Sequence, residues 1–135
     1  MIPFGGADVL IGFEPGEAAR NIAYLKKGGT VIVCTKAVRP VTASLSGSGY
    51  DGKDALQYLK NNAGRCCIPD MESICKECGS EKVVNIALVG ALAGCGDMGL
   101  DIADMERAVS MKVKKNYLEM NLRALKLGAG YADNI

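Results

Sequence analysis

The sequence predicts an α/β domain built on a mainly parallel sheet and ending in consecutive helices, and three observations carry that prediction. Residues 5–35 read as strand, helix, strand, the unit from which parallel sheets are made. A second helix-then-strand pattern follows at 51–68. From Asp70 onward every apolar spacing is helical.

The first strand is Ala7 to Phe13, an apolar run broken only by Asp8 and Gly12, which is the pattern of a strand covered on both faces. Glu14-Pro15 ends it. Ala18, Ala19, Ile22, Ala23 and Leu25 then recur at helical spacing. Glu14 and Glu17 put negative charge near the helix start and Lys26 and Lys27 positive charge near its end, so the helix is expected to reach the Gly28-Gly29 pair. Thr30 to Cys34 is β-branched and predicts a second strand, joined to the first by a right-handed crossover. Lys36 to Tyr50 holds Pro40 and the run Ser44 to Gly49, small and polar residues that suit a loop.

Helical spacing resumes from Asp51 to Ala63, closed by Gly64, and Arg65 to Ile68 is a short third strand that Pro69 terminates. Asp70 suits the N-cap of a helix from Met71 to Glu77 that Gly79 ends. Val83 to Cys95 is apolar almost all round and is therefore expected to be the most buried helix, with Gly90, Gly94 and Gly96 permitting close backbone approach. Asp101 caps the next helix, on which Ile102, Met105 and Val109 share a face. A last helix starts near Lys114, with Leu118, Leu122 and Leu125 as its apolar stripe and Gly128 and Gly130 fraying its end.

Composition excludes more than it assigns. Hydrophobic residues make up 49% of 135, enough for one core, so one domain spanning 1–135 is expected. A net charge of +1 gives no reason to expect nucleic acid or a charged membrane surface as partner. The longest apolar run, Val83 to Ala93, contains Asn85 and is too short to span a bilayer, and no signal-peptide pattern opens the chain, so a cytoplasmic location is expected. There is no histidine, which removes the commonest general base and metal ligand and makes a triad hydrolase improbable. Six cysteines without a secretion signal read as reduced thiols.

Each local constellation has a plainer reading beside the functional one. Cys75-Lys-Glu-Cys78 has the spacing of a chelating or redox pair, but a tetrahedral site needs two more ligands, and Cys66 and Cys67 are the nearest candidates; a helix with incidental thiols is the simpler account. Glu14 and Glu17 stand at the carboxyl end of the first strand, where open α/β sheets place ligands, while helix-dipole stabilisation explains the same charges and Arg20 offers Glu17 an ion pair. Ser46 and Ser48 are contact candidates in the loop, and Asn85 is either a buried functional amide or a group that caps the helix or bonds the backbone. Lys112, Lys114, Lys115, Arg123 and Lys126 form either a basic docking surface or a solvated helix face. Gly5-Gly6 and Gly28-Gly29 are misplaced for a dinucleotide fingerprint.

Ala7-Asp-Val-Leu-Ile-Gly-Phe-Glu-Pro-Gly-Glu-Ala-Ala-Arg20 followed by Leu25-Lys-Lys-Gly-Gly-Thr-Val-Ile-Val33 resembles the gamma-type domain of the 2-oxoacid:ferredoxin oxidoreductases. Val84 to Leu92 and Asn121 to Leu125 resemble later segments of the same domain, and the pattern looks most like the beta subunit of the indolepyruvate enzymes, with the pyruvate and 2-oxoglutarate gamma subunits close behind. The resemblance implies a Rossmann-like three-layer fold and a non-catalytic subunit of an enzyme that oxidatively decarboxylates 2-oxoacids to acyl-CoA. Thiamine diphosphate, iron-sulfur clusters and coenzyme A are then used by the holoenzyme, with no catalytic residue and no metal expected on this chain. The family's initial strand and glycine-rich turn, roughly sixty residues, has no counterpart here. The chain thus reads as the C-terminal part of the domain, truncated at its N-terminus. An exposed sheet edge follows, to be covered by a larger thiamine- and cluster-binding subunit or by a homodimer, with ferredoxin met only indirectly. A freestanding small-ligand module, using the loop from Ala43 to Tyr50 and the strand end near Glu14, is the alternative, and a thiol redox protein using Cys75 and Cys78 a third.

Overall fold

A computed structural model describes residues 1–35 and 52–132. Strand β1 (Ala7–Gly12), helix α1 (Pro15–Arg20) and strand β2 (Leu25–Val33) open the chain, then α2 (Lys53–Asn62), β3 (Arg65–Cys67), α3 (Met71–Cys78), α4 (Val84–Cys95), α5 (Ile102–Lys112) and α6 (Lys115–Gly130). The three strands form one parallel sheet in the order β1-β2-β3. Strand alternation sends successive side chains to opposite faces. Leu10, Val31 and Val33 therefore pack with Ala18 of α1 and Leu59 of α2, whereas Val9, Ile11 and Ile32 pack with Ile74 of α3, Leu88 of α4 and Ala124 of α6. The result is the three-layer, Rossmann-like α/β arrangement that the sequence predicts.

The first helix is shorter than expected. It stops at Arg20 rather than near Lys27, because Asn21 takes over the C-cap: its backbone N–H bonds carbonyls of the last turn and its side-chain Nδ2 donates to Glu17 O at 2.8 Å. After a 3₁₀ turn at Ile22–Tyr24, Leu25 is already in β2 and in register with Ala7. From Ala7↔Leu25 to Val9↔Thr30, β2 advances five residues while β1 advances two, so Lys26, Lys27, Gly28 and Gly29 form a bulge and not a helix end. Gly28 supplies its positive φ of 77°, and Gly64 lies so close that an added Cβ would meet Gly28 O at 2.3 Å.

Caps and breakers behave as read. Asp70 accepts from Ser73 N at 3.1 Å, Gly79 ends α3 in a left-handed conformation, and Asp101 with Asp104 forms a reciprocal capping box on α5. Helix α4 carries five buried residues, more than any other helix among the described residues, and its apolar character shows no preferred side. It lies backbone to backbone against α6. A Cβ at Gly90 would stand 2.0 Å from Leu125 O, at Gly94 2.5 Å from Ala129 O, and at Gly128 1.9 Å from Ala87 O. Gly128 is therefore a packing residue inside α6 rather than a frayed end, and Gly96 is the left-handed cap of α4 rather than a contact. The buried stripe of α6 is Asn121, Ala124, Leu125 and Gly128; Leu118 and Leu122 lie beside it, half-buried.

Candidate subunit interface

Among the described residues, strand β1 stands at the edge of the sheet. The sequence reads it as covered on both faces, but with one neighbouring strand only Gly12 of the six residues is fully buried. Along that edge runs an open groove of ≈ 610 Å³ whose walls include Met1, Ile2, Val9, Ile11 and Phe13. Ile2 and Phe13 in its walls are 58% and 57% accessible, and Phe4 in the segment before β1 is 76% accessible. Phe4 packs its ring on Tyr24 at 4.9 Å, which fixes the segment before β1 beside the 3₁₀ turn.

Two of the predicted contact residues, Glu14 and Glu17, line the same groove. Their charges are already committed. Glu14 is the N-cap of α1, its carboxylate accepting from Gly16 N at 3.0 Å and Glu17 N at 2.8 Å, and Glu17 forms an exposed ion pair with Arg20. Asn85 is exposed on α4 and accepts from Ile86 N at 2.9 Å, so the buried-amide reading is wrong and the backbone-bonding one right. Ser46, Ser48 and the rest of the loop lie outside the described residues. Sequence reasoning missed Met1 and Ile2 as wall residues, because nothing in an isolated apolar residue says which surface it meets.

A second cavity, ≈ 630 Å³, opens beyond the carboxyl end of β2 between Thr35, Cys75, Lys76 and Ser80. That is the end of the sheet where α/β proteins hold ligands. Its Ser80 hydroxyl accepts from Lys82 N, and Glu72, Lys76 and Glu81 in its lining are exposed.

The cysteines sit where the fold discourages thiolate chemistry. Cys75 is buried in the core against Ile74 and Leu88, and burial pushes the Cys78 thiol up from its ordinary range, which opposes a redox pair. Cys67 is pushed up to about 12 by burial first and by Cys95 and Cys66 next. Among the described residues no three His, Cys, Asp or Glu side chains come together as a metal site needs, so the residues do not fit an iron-sulfur cluster. Of the basic residues on α6, Arg123 pairs with Glu77 at 2.7 Å and Lys126 with Glu106 at 3.2 Å, as a solvated helix face does.

Comparison with known proteins places this arrangement. The pyruvate ferredoxin/flavodoxin oxidoreductase family matches residues 1–131. The chain belongs to that family. It is 32% identical over 130 residues to the indolepyruvate oxidoreductase subunit IorB of Thermococcus kodakarensis, a match that covers 95% of this chain and 64% of that protein. It is also 32% identical over 133 residues to the IorB subunit of Archaeoglobus fulgidus, covering 98% and 66%. The chain therefore spans just under two thirds of these relatives. The crystal structure of the keto/oxoacid ferredoxin oxidoreductase gamma subunit from Geobacter sulfurreducens superposes with a TM-score of 0.70 at 20% identity, over 97% of this chain and 67% of that one. The fold of this family member is thus that of a gamma subunit.

Proposed function

We propose that this chain is a non-catalytic subunit of a thiamine-dependent 2-oxoacid:ferredoxin oxidoreductase, of the indolepyruvate or pyruvate type, in the cytoplasm. The family match across residues 1–131 carries the reading. The chain's own chemistry agrees with it. The sequence has no histidine, burial raises the Cys66, Cys67, Cys78 and Cys95 thiols above their ordinary range, and no cluster-binding set forms among the described residues, in keeping with a subunit that leaves the oxidation to a partner. Thiamine diphosphate, iron-sulfur clusters and coenzyme A are then bound by a larger partner subunit, and ferredoxin is met through that partner. A gamma-subunit fold with Glu14 and Glu17 on a half-covered apolar edge suits a subunit contact better than a catalytic cleft.

The test is co-expression with a thiamine- and cluster-binding subunit of the family. A stable heteromer that reduces ferredoxin when given a 2-oxoacid is the expected outcome. A folded chain that does not associate with that subunit, at concentrations up to about 10 μM where specific subunit contacts hold, sinks the proposal.

A further inference from the structure

We propose that Cys67 and Cys95 are a redox-controlled pair, which a small-molecule disulfide converts into an intrachain bridge fastening the end of α4 to β3. Strand alternation separates the two adjacent cysteines of β3. Cys66 packs in the layer of α1 and α2, and Cys67 in the layer of α3, α4 and α6, where Cys95, the last residue of α4, packs against the same core. There the Cys67 thiol lies within hydrogen-bonding reach of the Cys95 sulfur and, at 3.8 Å, of the Tyr131 carbonyl. A separate set of contacts holds the two elements in this register. Arg65, two residues before Cys67 and so on the same face of β3, donates from Nη2 to Cys95 O at 3.4 Å and pairs with Asp97, while its Nε donates to Thr30 Oγ1 at 3.2 Å. The strand therefore grips the backbone of Cys95 at one residue and meets its sulfur at another.

Both sulfurs are free thiols, Cys67 buried and Cys95 half-buried, so access sets the order of events. The Cys95 thiolate attacks one sulfur of the small disulfide, whose S–S bond breaks; a mixed disulfide forms and one small thiolate leaves. Cys67, deprotonated in turn, attacks the Cys95 sulfur and releases the second. The two protein thiols have lost two electrons to the small disulfide, and their protons end on the two released thiols. Bond formation brings the sulfurs to about 2 Å, a short closure from hydrogen-bonding reach. Burial raises the Cys95 thiol above its ordinary range, Arg65 draws it back and Asp97 opposes Arg65, so the exchange is slow at neutral pH. In a reducing compartment the pair rests as thiols, and a bridge formed there registers oxidising conditions.

In the experiment the full chain, reduced and then freed of reductant, is incubated in its folded state with oxidised glutathione. Unreacted thiols are blocked with N-ethylmaleimide in urea, and the products are digested after Lys, Arg and Glu. Expected are a monomer with four of its six cysteines alkylated, and a fragment in which residues 66–72 are joined to 83–106. Cys66→Ser keeps that fragment, which assigns the bridge to Cys67, whereas Cys95→Ala, at a half-buried position, abolishes it. Closing the loop raises the melting temperature by at least about 5 °C, a shift that dithiothreitol reverses and Cys95→Ala lacks. Should Cys95→Ala fail to fold, the fragment in Cys66→Ser and the reversible shift decide. Six alkylated cysteines after oxidation, glutathione retained on Cys95, a bridge lost in Cys66→Ser, a dimer linked between chains, or an unchanged melt overturns the proposal. No partner subunit and no 2-oxoacid enters the test, so its failure leaves the proposed function standing.

Discussion

The helical side and the β1 edge are built to different standards of closure. Between α4 and α6 the backbones touch, with glycine at each point where a Cβ would collide, and Leu88 and Leu125 have 1% or less of their surface exposed. Along β1 the strand has one neighbour among the described residues, and Phe4 and Phe13 leave more than half their surface in water. Both regions are apolar, so composition does not separate them. What separates them is whether the fold supplies its own second surface; a finished interface tolerates no added atom, and an unfinished one lacks them.

Substitutions can break that contrast, and Gly128→Ala has the largest expected effect. The new Cβ would stand 1.9 Å from Ala87 O, a backbone atom that cannot rotate away, so a loss of about 3 kcal/mol or more is expected in urea denaturation despite the better helix propensity of alanine. Leu88→Ala, in the core on the same helix α4, costs about 2–5 kcal/mol, whereas Phe13→Ser at the edge changes the stability of the chain alone by less than about 0.5 kcal/mol. Equal losses at the two positions would erase the distinction. Asp101→Ala, which removes half of the capping box of α5, costs about 1 kcal/mol and leaves both regions otherwise intact.

The smallest effect is a slope against pH. Because the folded state holds Cys67 as the neutral thiol with its pKa pushed up to about 12, its contribution is fully present below the unfolded thiol pKa of about 8.5 and is lost as pH rises through the folded value. Stability measured from pH 8 upward should fall, and fall less steeply in Cys67→Ala.

Local chemistry made much of the fold legible. Asp70, Gly79 and Asp101 announce their helix ends because caps act within one turn, and the apolar surround of Val84 to Cys95 declares a buried helix. Lys26-Lys-Gly-Gly29 misleads for the same reason: the run has the composition of a helix C-terminus, and only pairing with β1 makes it a bulge. Gly128 is likewise a helix stop by local rules and a contact by tertiary ones. The interface was less legible. Glu14 and Glu17 were found as charges beside a strand end, but an edge is a property of the sheet, and neither Phe13 nor Ile2 carries a mark that it lies on one.

The glycine contacts between α4 and α6 also reach into the genetic code. Any single-base missense change in a glycine codon yields a residue with a Cβ, so Gly90 and Gly128 have no conservative neighbour by mutation. Lineages of this chain should carry only synonymous differences at those two codons, while the codons for Phe13 and Ile2 drift in step with whatever the edge of β1 comes to rest upon.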